Sequence, residues 1–217
     1  MMLDTAFERI PGDIGNPESF DYPVVLQVVP GASVERALGG QDDVLADLFA
    51  EHAQRLVDSG VRAITTSCGF LARYQKALAS RIAVNFASSA LCLLPDVGRH
   101  YGAVGVITAD RSRLGEAHFL GCGAAPPEAI IGMEDRPHFR SSILRQETRL
   151  SADRIREETV AAALQLQKEH PQLDVILLEC TNLPPYRRDV EHATGLPVVD
   201  ALTLSDALAG HRSPPWR

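Results

Sequence analysis

Ala63-Ile64-Thr65-Thr66-Ser67-Cys68-Gly69-Phe70-Leu71-Ala72-Arg73-Tyr74 returns in outline 112 residues later. The second copy is Val175-Ile176-Leu177-Leu178-Glu179-Cys180-Thr181-Asn182-Leu183-Pro184-Pro185-Tyr186. Each copy runs an apolar strand into a cysteine, with leucine three and tyrosine six positions after it. Amphipathic stretches flank both copies, so each cysteine is expected where a buried strand gives way to a helix. In open α/β sheets ligands gather at the carboxyl ends of strands. Two matched cysteines at such ends point to two halves of one reaction.

Working outward, residues 1–5 read as the end of a first strand and Pro23 to Val29 as a second. Between them, Ile10-Pro11-Gly12-Asp13-Ile14-Gly15-Asn16-Pro17 is a loop by composition, expected to be mobile beside the site. It lacks the Lys-Ser/Thr of a phosphate-binding loop. From Gln41 to Ser59, apolar residues recur at three- and four-residue steps and predict a helix ended by Gly60. Helices are expected near 70–80, 111–121, 185–194 and 200–209, and one from Ser151 to about Glu169, stopped by Pro171. Strands are expected at 61–66, 82–86, 101–108, 129–133, 173–178 and 197–199.

This alternation predicts an α/β fold of two pseudo-symmetric lobes, each a parallel sheet with helices on both faces and the site in the cleft between them. The boundary is placed near residue 99: lobe 1–99, lobe 100–199, and a last segment 200–217 packing back on the first lobe.

The composition, 45% apolar and 23% charged, is that of a globular protein. A net charge of -7, from 21 basic and 28 acidic residues, disfavours nucleic acid as a partner. No apolar run reaches the roughly 18 residues of a membrane span, and the N-terminus lacks the pattern of a secretion signal. A cytoplasmic location is the expectation, with its four cysteines reduced. Cys92 reads as core. His118 and Cys122 are a possible metal pair without a third ligand, so no metal is expected.

A helix N-terminus lowers a thiol pKa from its usual value of about 8.5. Cys68 and Cys180 are therefore expected to be activated, one on each face of a substrate carbon. One thiolate would take a proton and the opposite thiol return one, inverting a stereocentre without a cofactor. Backbone N–H groups of Gly69, Phe70, Thr181 and Asn182, with the last two side chains, are expected to hold the developing charge. Alternation along the strand is expected to turn Glu179 away. His100, His138 and His192 read as surface; Arg136, His138 and Arg140 read as a solvated loop.

Thr66-Ser67-Cys68-Gly69-Phe70 and Leu178-Glu179-Cys180-Thr181-Asn182-Leu183 resemble the aspartate/glutamate racemase superfamily, including hydantoin racemases, over residues from about Asp4 to Ala209. The resemblance implies that Asp4, Thr5, Ser67, Thr108 and Asp110 border the pocket, with Ser88 and Ser89 nearby. It also implies a homo-oligomer acting without a cofactor on a small carboxylate or amide. Ser67-Cys68-Gly69-Phe70 stands where amino-acid racemases have Cys-Asn-Thr, and the second motif lacks the histidine of glutamate racemases. The likeness therefore leans towards hydantoin racemases and arylmalonate decarboxylases. The latter keep only the second cysteine, so Cys68 favours two-faced proton exchange. The expected activity is a racemase or epimerase. A decarboxylase, a cis–trans isomerase and a non-catalytic carboxylate-binding protein are the alternatives.

Overall fold

In the computed structural model, residues 1–39, 42–147 and 149–212 are described. Gln41, at the expected start of the helix 41–59, and residues 213–217 of the last segment lie outside them. In the first part, helices α1 (Val34–Leu38) and α2 (Asp43–Asp58) precede strand β1 (Ala63–Thr65). Asp42 caps α2 by accepting from the Leu45 N–H. Helix α3 (Gln75–Ala79), strand β2 (Asn85–Ala87) and helix α4 (Leu94–Tyr101) follow. The second part contains β3 (Val104–Thr108), α5 (Glu116–Gly121), β4 (Ala129–Gly132), α6 (Pro137–Phe139) and α7 (Ala152–Glu169). It ends with β5 (Val175–Leu178), α8 (Arg187–Thr194), β6 (Val198–Val199) and α9 (Ala201–Ala209).

All named strand pairs are parallel. One sheet pairs β1 with β2; the other runs β4-β3-β5-β6. Every residue of β3 and β5 is buried, as expected for the middle of a sheet covered on both faces. Helix α7 packs on α8 and on β3, and α9 crosses back to pack on β1 and β2. Asp200 caps α9 through the Leu202 and Thr203 N–H groups. No helix among the described residues is long and apolar enough to cross a membrane.

The expected strands at 1–5 and 23–29 shrink to a single parallel bridge, Met2 to Val28. The backbone does run extended beside β1, since Ser67 N–H donates to the Met1 carbonyl and Leu3 N–H to Ser67 Oγ. This threads residues 1–9 along the end of the first sheet and delivers them to the first cysteine.

Candidate active site

Neither cysteine opens an α-helix. Cys68 precedes a 3-10 turn, Gly69–Tyr74, that leads into α3, and Cys180 lies four residues before the 3-10 turn Pro184–Tyr186 that leads into α8. The two motifs are joined directly: the Thr181 hydroxyl donates to the Ser67 carbonyl at 2.7 Å. Cys68 and Cys180 line one small cavity of about 30 Å³, room for roughly one water. Thr5, Ser67, Gly69, Phe70, Thr181 and Asn182 line it too. A larger cavity of about 600 Å³ lies between β1, the segment near Tyr22 and α9, but neither cysteine borders it.

Three expected residues stand differently. Asp4 is exposed, with a long bond from Gly31 N–H, and Asp110 folds onto Ser112 in its own loop; neither lines the cavity. Thr108 is buried but reaches the site only through Glu179, donating to its Oε2 at 2.7 Å. Ser88 accepts from the Thr66 hydroxyl through its carbonyl, and Ser89 caps the turn Ala90–Leu93; they brace the first motif from behind.

The charge-holding groups also need correction. The Thr181 hydroxyl is spent on Ser67, and the Asn182 amide donates to Asp13 Oδ2 at 2.6 Å. Backbone groups of Phe70 and Leu71 favour the Cys68 thiolate, and that of Asn182 favours the Cys180 thiolate.

Glu179 is the largest departure from expectation. It is fully buried and lines the cavity rather than turning away. Its carboxylate lies against Gly69, where a Cβ would come within 1.9 Å of Oε1, so only a residue without a side chain leaves the room it occupies. Burial raises its pKa to about 7 against the bonds from Thr108 and Ala109 N–H, and Oε1 has no partner.

The thiols are not activated in this buried arrangement. Burial first, and Glu179 second, push Cys68 up to about 12 despite the two N–H groups at its sulfur. The same two causes push Cys180 well above the ordinary range, and the nearby Cys68 and Asp13 add to them. A short 3-10 turn supplies too small a dipole to offset this desolvation.

The residue that sequence reasoning missed is Arg9. Its guanidinium lines the cavity, donates to Asp13 at 3.0 Å and to Thr5 Oγ1 at 3.0 Å, and lies 4.3 Å from the centre of the Phe7 ring. With five donor hydrogens, it keeps capacity for a substrate carboxylate. The loop at 10–17 is not loose beside the site. Asp13 binds Gly15 N–H, Arg9 and Asn182, and Gly12 (φ 96°) packs so tightly on Pro185 that a Cβ would approach its Cα to 2.7 Å. Arg136, by contrast, donates to Gln165 on the exposed surface. The His118–Cys122 pair is also resolved differently: His118 Nδ1 meets the Gly115 backbone, and its ring stands edge-on to Phe70 at 5.5 Å.

A dimethylsulfoniopropionate lyase from Durusdinium sp. clade D is 34% identical over 215 residues, 94% of this chain and 71% of that protein. The chain belongs to the dimethylsulfoniopropionate lyase family. Dimethylsulfoniopropionate lyase 6 of Emiliania huxleyi is likewise 34% identical over 224 residues, 95% of this chain but 57% of its own length. The chain thus spans only part of these lyases. No protein-family model matches the sequence. Among solved structures, a variant of arylmalonate decarboxylase superposes with a TM-score of 0.67 at 19% identity, over 99% of this chain and 95% of that one. Picrophilus torridus aspartate racemase gives 0.55 at 18%, over 85% and 77%. This lyase family member therefore has the two-lobed fold of the aspartate/glutamate racemase superfamily, as the paired motifs implied.

Proposed function

We propose that this chain is a lyase that removes a proton from the carbon next to a carboxylate and expels dimethyl sulfide from dimethylsulfoniopropionate or a close β-sulfonio acid. One observation carries the reading: two cysteines, one arginine and two phenylalanines line the same small cavity. Arg9 holds the carboxylate and Phe7 and Phe70 face the sulfonium, a cation that aromatic rings attract. Cys68 is the base, since two N–H groups support its sulfur and one supports that of Cys180. Its thiolate takes the α-proton, the electron pair forms the carbon–carbon double bond, and the β-carbon–sulfur bond breaks. Dimethyl sulfide leaves neutral, taking the bonding pair of the carbon–sulfur bond, so the leaving group needs no acid. Acrylate remains, and Cys68 returns its proton to water. Glu179, when protonated, avoids a second negative charge beside the thiolate. The cavity holds about one water, so substrate entry requires the segments carrying Leu38 and Leu144, which also line it, to part.

The test is incubation with dimethylsulfoniopropionate, reading dimethyl sulfide in the headspace and acrylate by NMR. Release that Cys68→Ser abolishes supports the reading; absence of both products from folded wild-type protein refutes it. The second reading keeps the racemase or epimerase expectation, and the matched cysteines at both strand ends favour it. There Cys180 returns a proton on the opposite face. Deuterium entering the α-carbon of aspartate or a hydantoin in heavy water, without elimination, would establish that reading instead.

A further inference from the structure

Two cysteines lie outside the cavity of the proposed elimination. Cys92 lies in the 3-10 turn Ala90–Leu93, and Cys122 at the C-cap of α5. Although 30 residues apart in sequence, their sulfurs meet at 2.9 Å, both partly exposed and unbridged. A disulfide bond spans about 2.05 Å, so less than about 1 Å of approach would join them.

We propose that Cys92 and Cys122 are a two-electron oxidation site, a dithiol that a low-molecular-weight disulfide such as glutathione disulfide converts to an internal disulfide. Cys92 is the attacking sulfur. The hydrogen bond it shares with the Cys122 sulfur, together with the Ser89 and Ser88 backbone, holds Cys92 below the ordinary thiol range. Cys92, as thiolate, breaks the sulfur–sulfur bond of the reagent and forms a mixed disulfide, expelling one glutathione thiolate. Cys122 then gives up its proton to water, attacks the Cys92 sulfur and expels the second. Two electrons pass from the cysteine pair to the reagent, whose two halves leave as thiols.

The pair has a structural consequence for the cavity. A bond would tie the turn Ala90–Leu93 to the end of α5, which packs on the Gly69–Tyr74 turn following Cys68. His118, one helical turn before Cys122, already touches Phe70 in that stretch. Cys68 and Cys180 are spared, being 7% and 5% exposed with thiols held protonated.

The experiment treats the folded chain with glutathione disulfide at neutral pH, quenches with acid, then alkylates in denaturant and maps the peptides by mass. The expected result is a chain lighter by two hydrogens, with Cys92 joined to Cys122, Cys68 and Cys180 alkylated, and full reversal by dithiothreitol. Cys122→Ser should instead trap a stable glutathione adduct on Cys92. A lasting adduct on Cys92 or Cys122 in the unaltered chain would overturn the proposal. So would free thiols at both positions, or a bond to Cys68 or Cys180. The mapping is read on the unaltered chain and does not depend on the variant folding.

Discussion

Cys68 follows a strand of a two-stranded sheet and Cys180 one of a four-stranded sheet, yet both line the same 30 Å³ cavity. Their surroundings differ. Backbone Phe70 and Leu71 favour the Cys68 thiolate, while Asn182 alone favours that of Cys180, whose thiol also donates to Asn182 Oδ1 at 3.7 Å. Glu179 opposes ionisation of both, but it is the immediate chain neighbour of Cys180. Asp13 adds further negative charge on that side. A repeated sequence motif has therefore produced two unequal thiols, both raised by burial, with more negative charge gathered around Cys180 than around Cys68.

The largest test of that inequality is activity. Cys68→Ser should lower dimethyl sulfide release by about 10² to 10⁴, the usual worth of a general base. Cys180→Ser should cost less, because elimination needs no second proton transfer. Equal losses in the two variants would break the asymmetry and favour two-faced exchange.

Glu179 provides the next test. The Glu179 carboxyl keeps its proton in the folded chain up to about pH 7, whereas in the unfolded chain it ionises near its ordinary value of 4.5. Between those values the unfolded state has released a proton that the folded state retains. Stability should therefore fall as pH rises through this window and level off above about 7. The difference corresponds to on the order of 3 kcal/mol. Denaturant titrations across the window should show the slope in wild type and most of it gone in Glu179→Gln. Asp200, also pushed up by burial, should leave a smaller residual slope. In the same variant, alkylation of Cys68 should begin at lower pH, since its nearest like charge is gone. An unchanged slope and unchanged alkylation would show that Glu179 does not govern the pair.

Much of the frame was legible because its signals are local. Val175–Leu178 is a continuous apolar run, and Ser151 with the periodic Ile155, Thr159, Ala162 and Leu166 marks α7. The matched spacing around Cys68 and Cys180 was enough to place both at strand ends of one cavity. What stayed hidden depends on partners far apart in sequence. Arg9 looks like any exposed cation until Asp13 and Thr5 hold it beside the cavity. Glu179 obeys alternation on paper, but the missing side chain of Gly69, 110 residues earlier, opens a place for it inside. The 3-10 turns replaced expected helix starts, and the dipole argument for thiol activation failed with them.

The smallest effect concerns the loop that distinguishes the Cys180 side. Asn182 joins Asp13 to the second motif and accepts from the Cys180 thiol, so one side chain serves both jobs. Asn182→Ala leaves Asp13 with Arg9 and Gly15 but without its third donor. A bond to a charged group is worth about 1.5–3 kcal/mol, and the remaining partners should keep the loss near the lower end. Thermal unfolding should register that loss, and thiol alkylation should show Cys180 reacting faster while Cys68 stays as slow as in wild type. If Cys68 accelerates equally, the loop seals the whole cavity and the difference between the two cysteines does not originate at Asn182.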